Sequence, residues 1–168
     1  MKKSDKEFKK IIKDLVTNKK VLEMKKYRQH FDVSCFEHCY EASYICYKIC
    51  KKLNWDYVSV VRAAMLHDMF LYDWRSKDNR EINHWHAFYH GKISCKNALK
   101  EFDLSQKEQD IIKYHMWPVT LKFPTSKEGF LLTFVDKYCA LKEITSFFVS
   151  QKRWKYSYLV YIFLMCLH

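Results

Sequence analysis

Val60-Val61-Arg62-Ala63-Ala64-Met65-Leu66-His67-Asp68 is the stretch that decides how this chain folds. Its apolar run has the composition of a buried helix, and it closes on an imidazole and a carboxylate. Burying such groups is costly unless they are paired or bound to a metal, so the doublet asks for a cation. Further donors of the same kind stand at domain-scale separations: His38 upstream, and His90, His115 and Asp136 downstream. Nitrogen and oxygen donors with no thiolate suit Fe, Mn, Zn or Mg rather than a structural zinc knot.

Outward from the doublet the pattern is helical. Phe8, Ile11, Ile12, Leu15 and Val16 recur at three- and four-residue steps, as on an amphipathic helix. Ser34-Cys35-Phe36-Glu37 is a capping box, predicting a helix to about Leu53 with His38, Ala42, Ile45 and Ile49 on one face. Asp56 is placed to cap the helix that carries the doublet. The polar and aromatic segment Phe70 to His86 reads as a connection, and helix signals resume from His90 to Phe102 with Ile93, Ala98, Leu99 and Phe102 inward. Ser105-Gln106-Lys107-Glu108 opens a helix through His115, stopped at Trp117-Pro118. Ser126 starts another, with Leu131, Phe134, Val135, Tyr138 and Asp136 on its buried face. The expectation is an all-α, single-domain helical bundle over residues 1–168, ending in an apolar helix from Trp154 to His168.

Composition narrows the function classes. Two glycines and two prolines among 168 residues disfavour an all-β fold and leave no Gly-rich loop to cradle phosphates. Any phosphate must be held by metal and basic side chains. The net charge of +11 favours anionic partners, but most lysines lie in the first and last thirds as solvated helix faces. A basic surface alone reads no bases, so specific nucleic-acid binding is not expected. Seven cysteines without a C-x-x-C pair read as reduced, buried small hydrophobes. The lysine-rich N-terminus lacks the apolar core of a signal peptide, and Tyr158 to Leu167 is too short to span a bilayer. A cytoplasmic protein is expected, with the apolar tail as a surface for a second copy.

The ordered set of ligand types resembles the HD-domain superfamily of metal-dependent phosphohydrolases. The resemblance covers about Ser34 to Glu143 and rests on Glu37-His38, on Ala63-Ala64-Met65-Leu66-His67-Asp68 and on Phe134-Val135-Asp136-Lys137. His90-Gly91-Lys92-Ile93-Ser94 and Ile111-Ile112-Lys113-Tyr114-His115 are similar to the binuclear branch. His86-Ala87-Phe88-Tyr89-His90 and His115-Met116-Trp117-Pro118 look like a bacterial subgroup of HD-domain hydrolases. The resemblance implies a first metal held by His38, His67, Asp68 and Asp136, and a second by Asp68, His90 and His115. It implies two divalent transition metals per chain (Fe, Mn, Co or Zn) and hydrolysis of a small phosphate-containing substrate, expected to be a nucleotide, by metal-activated water.

Met69-Phe70-Leu71-Tyr72 after the doublet lacks the acidic pair of guanosine tetraphosphate hydrolases and the Ile-Gly-Lys of cyclic-dinucleotide phosphodiesterases. The binuclear dinucleoside tetraphosphate hydrolases share the His-Gly opening and Tyr-His closing. Asp68 and His86 are expected to be catalytic. His86 and His90, four residues apart, both suit the second metal; His90 is preferred as the residue that opens the helix, leaving His86 to contact substrate or leaving group. Arg75, Trp117 and Lys137 are expected to bind substrate, by charge and stacking. His30, His84 and His168 are read as ordinary histidines. The same ligands also fit two other activities: a di-iron oxygenase of the superfamily and an anion-binding module without turnover.

Overall fold

A computed structural model describes residues 3–76 and 86–150, and among these the regular structure is helical apart from one short hairpin. The N-terminal segment forms α1 (Lys3–Ile11), α2 (Lys13–Thr17) and α3 (Lys19–Glu23). Arg28–His30 (β1) pairs antiparallel with Val33–Ser34 (β2), and Phe31 makes the turn at φ 48°. Then follow α4 (Cys35–Leu53), α5 (Tyr57–Leu66), α6 (His86–Ala98), α7 (Gln106–Tyr114) and α8 (Lys127–Ser150).

Local chemistry sets the boundaries. Ser34 and Glu37 form the reciprocal capping box that starts α4, and Ser105 and Glu108 do the same for α7. Asn54 ends α4 in the left-handed conformation, which Asn tolerates. Two residues later Asp56 caps α5 by accepting from the Ser59 amide, so α4 and α5 form a tight helical hairpin.

The buried stripe of α4 is Cys35, His38, Cys39, Ala42, Ser43, Cys46, Tyr47 and Cys50. Ile45 and Ile49, expected on that face, are only half-buried. Small thiols and hydroxyls here let α5 approach closely, and the Ser43 hydroxyl donates to the Val61 carbonyl at 2.9 Å. Helix α5 is buried at Val60, Val61, Ala63, Ala64, Met65 and Leu66, almost all round. It packs on α4 and α7, while α8 packs on α4, α5 and α7, and α6 packs on α7. Phe8 closes the outer side of α4 edge-on against Tyr40 and Tyr44. All six described cysteines are free and buried.

Two further expectations are corrected. Helix α6 already contains His86 and ends at Ala98, so Leu99 lies beyond it and is exposed. The buried face of α8 is Leu132, Thr133, Val135, Asp136, Cys139 and Glu143, whereas Phe134 and Tyr138 face outward. Hydrophobicity alone misplaced that face: polar groups hold the inner side because they meet polar partners there. The hairpin at residues 28–34 was not foreseen, being too short to show an alternating pattern. The tail from Trp154 to His168, with its proposed role in pairing two copies, lies outside the described residues.

Candidate metal centre

Each histidine of the expected set is locked by a hydrogen bond from its Nδ1 side. His67 and His115 are the C-cap residues of α5 and α7, where the last carbonyls have no helical partner. His67 Nδ1–H donates to the Ala64 carbonyl at 2.7 Å, and His115 Nδ1–H to the Ile112 carbonyl at 2.8 Å. His90, one turn into α6, donates from Nδ1 to the His86 carbonyl at 2.9 Å. His38, in the first turn of α4, directs Nδ1 to Glu143 Oε1 at 2.8 Å. Carbonyls and carboxylates only accept, so each ring donates from Nδ1 and turns Nε2 inward.

Those four Nε2 atoms surround Asp68 and Asp136. Oδ2 of Asp68 lies 3.3 Å from His67 Nε2 and 3.9 Å from His38 Nε2. Its Oδ1 lies 3.3 Å from His90 Nε2 and 3.8 Å from His115 Nε2. Oδ1 of Asp136 lies 2.9 Å from His38 Nε2 and 3.4 Å from His67 Nε2. The result is two overlapping groups of buried donors, His38–His67–Asp68–Asp136 and Asp68–His90–His115, each with ligand atoms within 4.8 Å of one another. Donors about 2.0–2.2 Å from one shared ion sit about 3–3.6 Å apart, so both groups have the spacing an ion needs with little adjustment.

Electrostatics point the same way. Burial, aided by the charges of His67 and His90, pushes the His115 pKa down to about 3 and leaves its Nε2 a bare lone pair. That nitrogen faces His90 Nε2 at 2.9 Å, and the His90 proton is committed to a carbonyl. Two such nitrogens stay close only through a shared cation, a second proton or a metal ion. Burial opposes charge on His38 and His67, yet the bonds the His38 ring donates to Asp136 and Glu143, and the Asp68 charge beside His67, raise both pKa values well above the ordinary histidine value. The two aspartates are buried too, but His67 and His90 hold Asp68, and His38 and His67 hold Asp136, well below the usual carboxylate range. His67 Nε2 and Asp68 Oδ1 have no hydrogen-bond partner although both are buried. Orphaned atoms of this kind are rare and need a partner. The donor set fits metal ions at both groups.

The sequence model of the HD domain matches residues 35–141, most of the chain. The chain belongs to the HD domain family. No curated protein and no solved structure is similar enough to match. HD domain proteins are mostly metal-dependent hydrolases, and the aspartate of the doublet that names them, Asp68, is the residue the two groups share.

The other expected residues lie outside the two donor groups. His86 lies outside both groups; its ring stacks on His90 at 4.6 Å and on Trp74 at 5.2 Å. The reason given above for preferring His90, that it opens the helix, does not hold, since α6 includes His86. The hydrogen bonds separate the two instead. Arg75 stacks on Trp74 at 4.8 Å and donates to the Gln29 carbonyl at 2.6 Å. Lys137 is half-buried and donates to the Thr133 carbonyl; burial lowers its pKa against the pull of Asp136. Trp117 packs edge-on against Phe130. His30 is not remote, because its ring sits edge-on to His38 at 5.8 Å. His84 and His168 lie outside the described residues.

Sequence reasoning missed Gln29, Glu143 and Tyr72. Glu143 had a signal, since it follows Asp136 by seven residues and so lies two turns along the same face of α8. Gln29 had none, because only the hairpin brings it to the doublet.

Proposed function

We propose that this HD domain protein is a binuclear metal-dependent phosphohydrolase acting on a small phosphate-containing substrate, a nucleotide being the best fit. One observation carries the reading: the two oxygens of Asp68 address different groups of donors, Oδ2 toward His38 and His67, Oδ1 toward His90 and His115. A carboxylate so placed can bridge two ions, with His38, His67 and Asp136 completing one site and His90 and His115 the other. Bound there, a metal pair supplies Lewis acidity toward phosphate oxygens and lowers the pKa of water enough for attack at neutral pH.

The protein's own groups do the rest. Nδ1 bonds to fixed carbonyls and to Glu143 hold the ligand rings with Nε2 turned inward. His86 and Lys137 border the centre and suit contact with phosphate oxygens; Asp68, shared by both donor groups, would be the carboxylate that holds both ions and so serves catalysis. Trp117 and Arg75 are proposed to contact the rest of the substrate. Six buried thiols favour a reducing, cytoplasmic setting. Among the described residues, no helix is long and apolar enough to cross a membrane.

The test is elemental analysis of protein purified without chelators, followed by assay against nucleotides, dinucleoside polyphosphates and sugar phosphates with Mn²⁺, Fe²⁺ or Co²⁺. Two metals per chain and phosphate or nucleotide release that stops on chelation are the expected result. Turnover that consumes O₂ would instead identify an oxygenase. Two bound metals with no turnover across the panel would identify an anion-binding module.

A further inference from the structure

Beside the four histidines of the donor groups stands His86, and it is wired the opposite way. His38, His67, His90 and His115 each present Nδ1 to an acceptor. His86 presents Nδ1 to a hydroxyl, that of Tyr72, at 2.7 Å. A phenol is a good donor and a poor acceptor, whereas the bare nitrogen of an imidazole is a good acceptor. The Tyr72 proton therefore points at Nδ1, and the ring proton of His86 is left on Nε2.

We propose that Tyr72 is a positioning residue that fixes His86 as an Nε2–H donor for a phosphate oxygen of the substrate, and by the same bond keeps His86 out of the metal's coordination. The substrate half of this proposal rests on the phosphohydrolase reading above. An N–H cannot ligate a metal, but beside one it can bind an anionic oxygen. His86 is held to this role by a built surround. Its ring is sandwiched between Trp74 (5.2 Å, 9° between planes) and His90 (4.6 Å, 17°), and Phe70 abuts it edge-on at 4.8 Å. Parallel packing on both faces opposes rotation of the ring.

The segment that supplies Tyr72 and Trp74 is itself pinned. The Asn97 amide on α6 donates to the carbonyls of Met69 and Phe70 at 2.9 and 3.2 Å. Leu71 then adopts φ 59°, a conformation that costs a non-glycine residue energy and persists only when its surroundings enforce it. That turn folds the chain immediately after the doublet back over His86. Burial raises the Tyr72 pKa to about 12, so the phenol keeps the proton it donates.

The experiment is ¹⁵N-edited NMR of the histidine side chains in zinc-loaded full-length protein, paired with binding of inorganic phosphate as the probe. The wild-type His86 spectrum is expected to show protonated Nε2 and bare Nδ1; a proton on Nδ1 overturns the proposal without reference to activity. Tyr72→Phe should give a mixed His86 tautomer, weaken phosphate binding about tenfold and leave zinc stoichiometry unchanged, a tenfold loss being about 1.4 kcal/mol. His86→Ala should weaken phosphate binding at least as much with zinc retained. Unchanged phosphate affinity in both variants overturns the substrate half. If zinc-loaded wild-type protein binds no phosphate, the phosphohydrolase reading falls, while the tautomer spectrum still decides whether Tyr72 positions His86.

Discussion

The Gln29 side-chain amide donates to Asp68 Oδ2 at 2.7 Å, joining β1 to the residue at the centre of both donor groups. Gln29 is held in turn: its Oε1 accepts from the Cys35 thiol at 3.3 Å, and its backbone carbonyl accepts from Arg75. The bond orients the carboxylate so that Oδ1 is left for the His90–His115 side. Gln29→Ala should remove a charge-assisted buried bond, contributing about 1.5–3 kcal/mol, and lower metal affinity about 10–100-fold as outer-shell losses do. Competitive chelator titration measures this; wild-type affinity in the variant would show that Gln29 does not orient Asp68.

Replacing His90 with alanine should reduce metal content from two to one, because the second group keeps only Asp68 and His115. Replacing His86 should leave both ions in place. Elemental analysis of the two variants side by side separates the assignments, and loss of metal in the His86 variant alone would exchange their roles.

Gly91 lets α6 and α7 meet at the second group. A Cβ there would lie 3.0 Å from the Ile112 and Lys113 carbonyls and 3.4 Å from His115 Cε1. Neither carbonyl can yield easily, since that of Ile112 also holds His115 Nδ1. Gly91→Ala should destabilise the fold by about 1–3 kcal/mol and weaken the second metal more than the first. Thermal melts with stepwise metal titration test this, and equal weakening at both sites would point away from the helix contact.

Glu7 ties α1 to the α4–α5 hairpin, accepting from Lys51 and Tyr47 at 2.8 Å and from Tyr57 at 3.0 Å. The Lys51 bond, followed by that from Tyr47, lowers its pKa from 4.5 to about 2. A carboxylate depressed in the folded state stabilises above its unfolded pKa and ceases to do so as pH falls through the folded one. Glu7→Gln should thus melt below wild type at neutral pH, with the gap closing between about pH 4.5 and pH 2. Denaturation of both proteins across that window is the check, and a gap independent of pH would assign the loss to packing.

The donor set was legible in the chain because helical periodicity and capping signals are local. Two capping boxes, the Asp56 cap and the apolar run before His67 place His38, His67, Asp68, His115 and Asp136 on or at the ends of helices. Residue type supplies the chemistry, and the order of the donors matches the HD domain family. Their roles followed less directly. Which of His86 and His90 faces Asp68 depends on where α6 packs and on which partner each Nδ1 meets, a carbonyl or the Tyr72 phenol. Alongside Asp136, the inner face of α8 went to Glu143 rather than to Phe134 and Tyr138, because polar side chains bury favourably once partners arrive from another helix. Gln29 reached Asp68 across 39 residues through a hairpin too short to leave a pattern. Sequence fixes the character of each helix and its ends; contacts between elements decide which atom carries a proton and which is left bare, because those depend on partners far away along the chain.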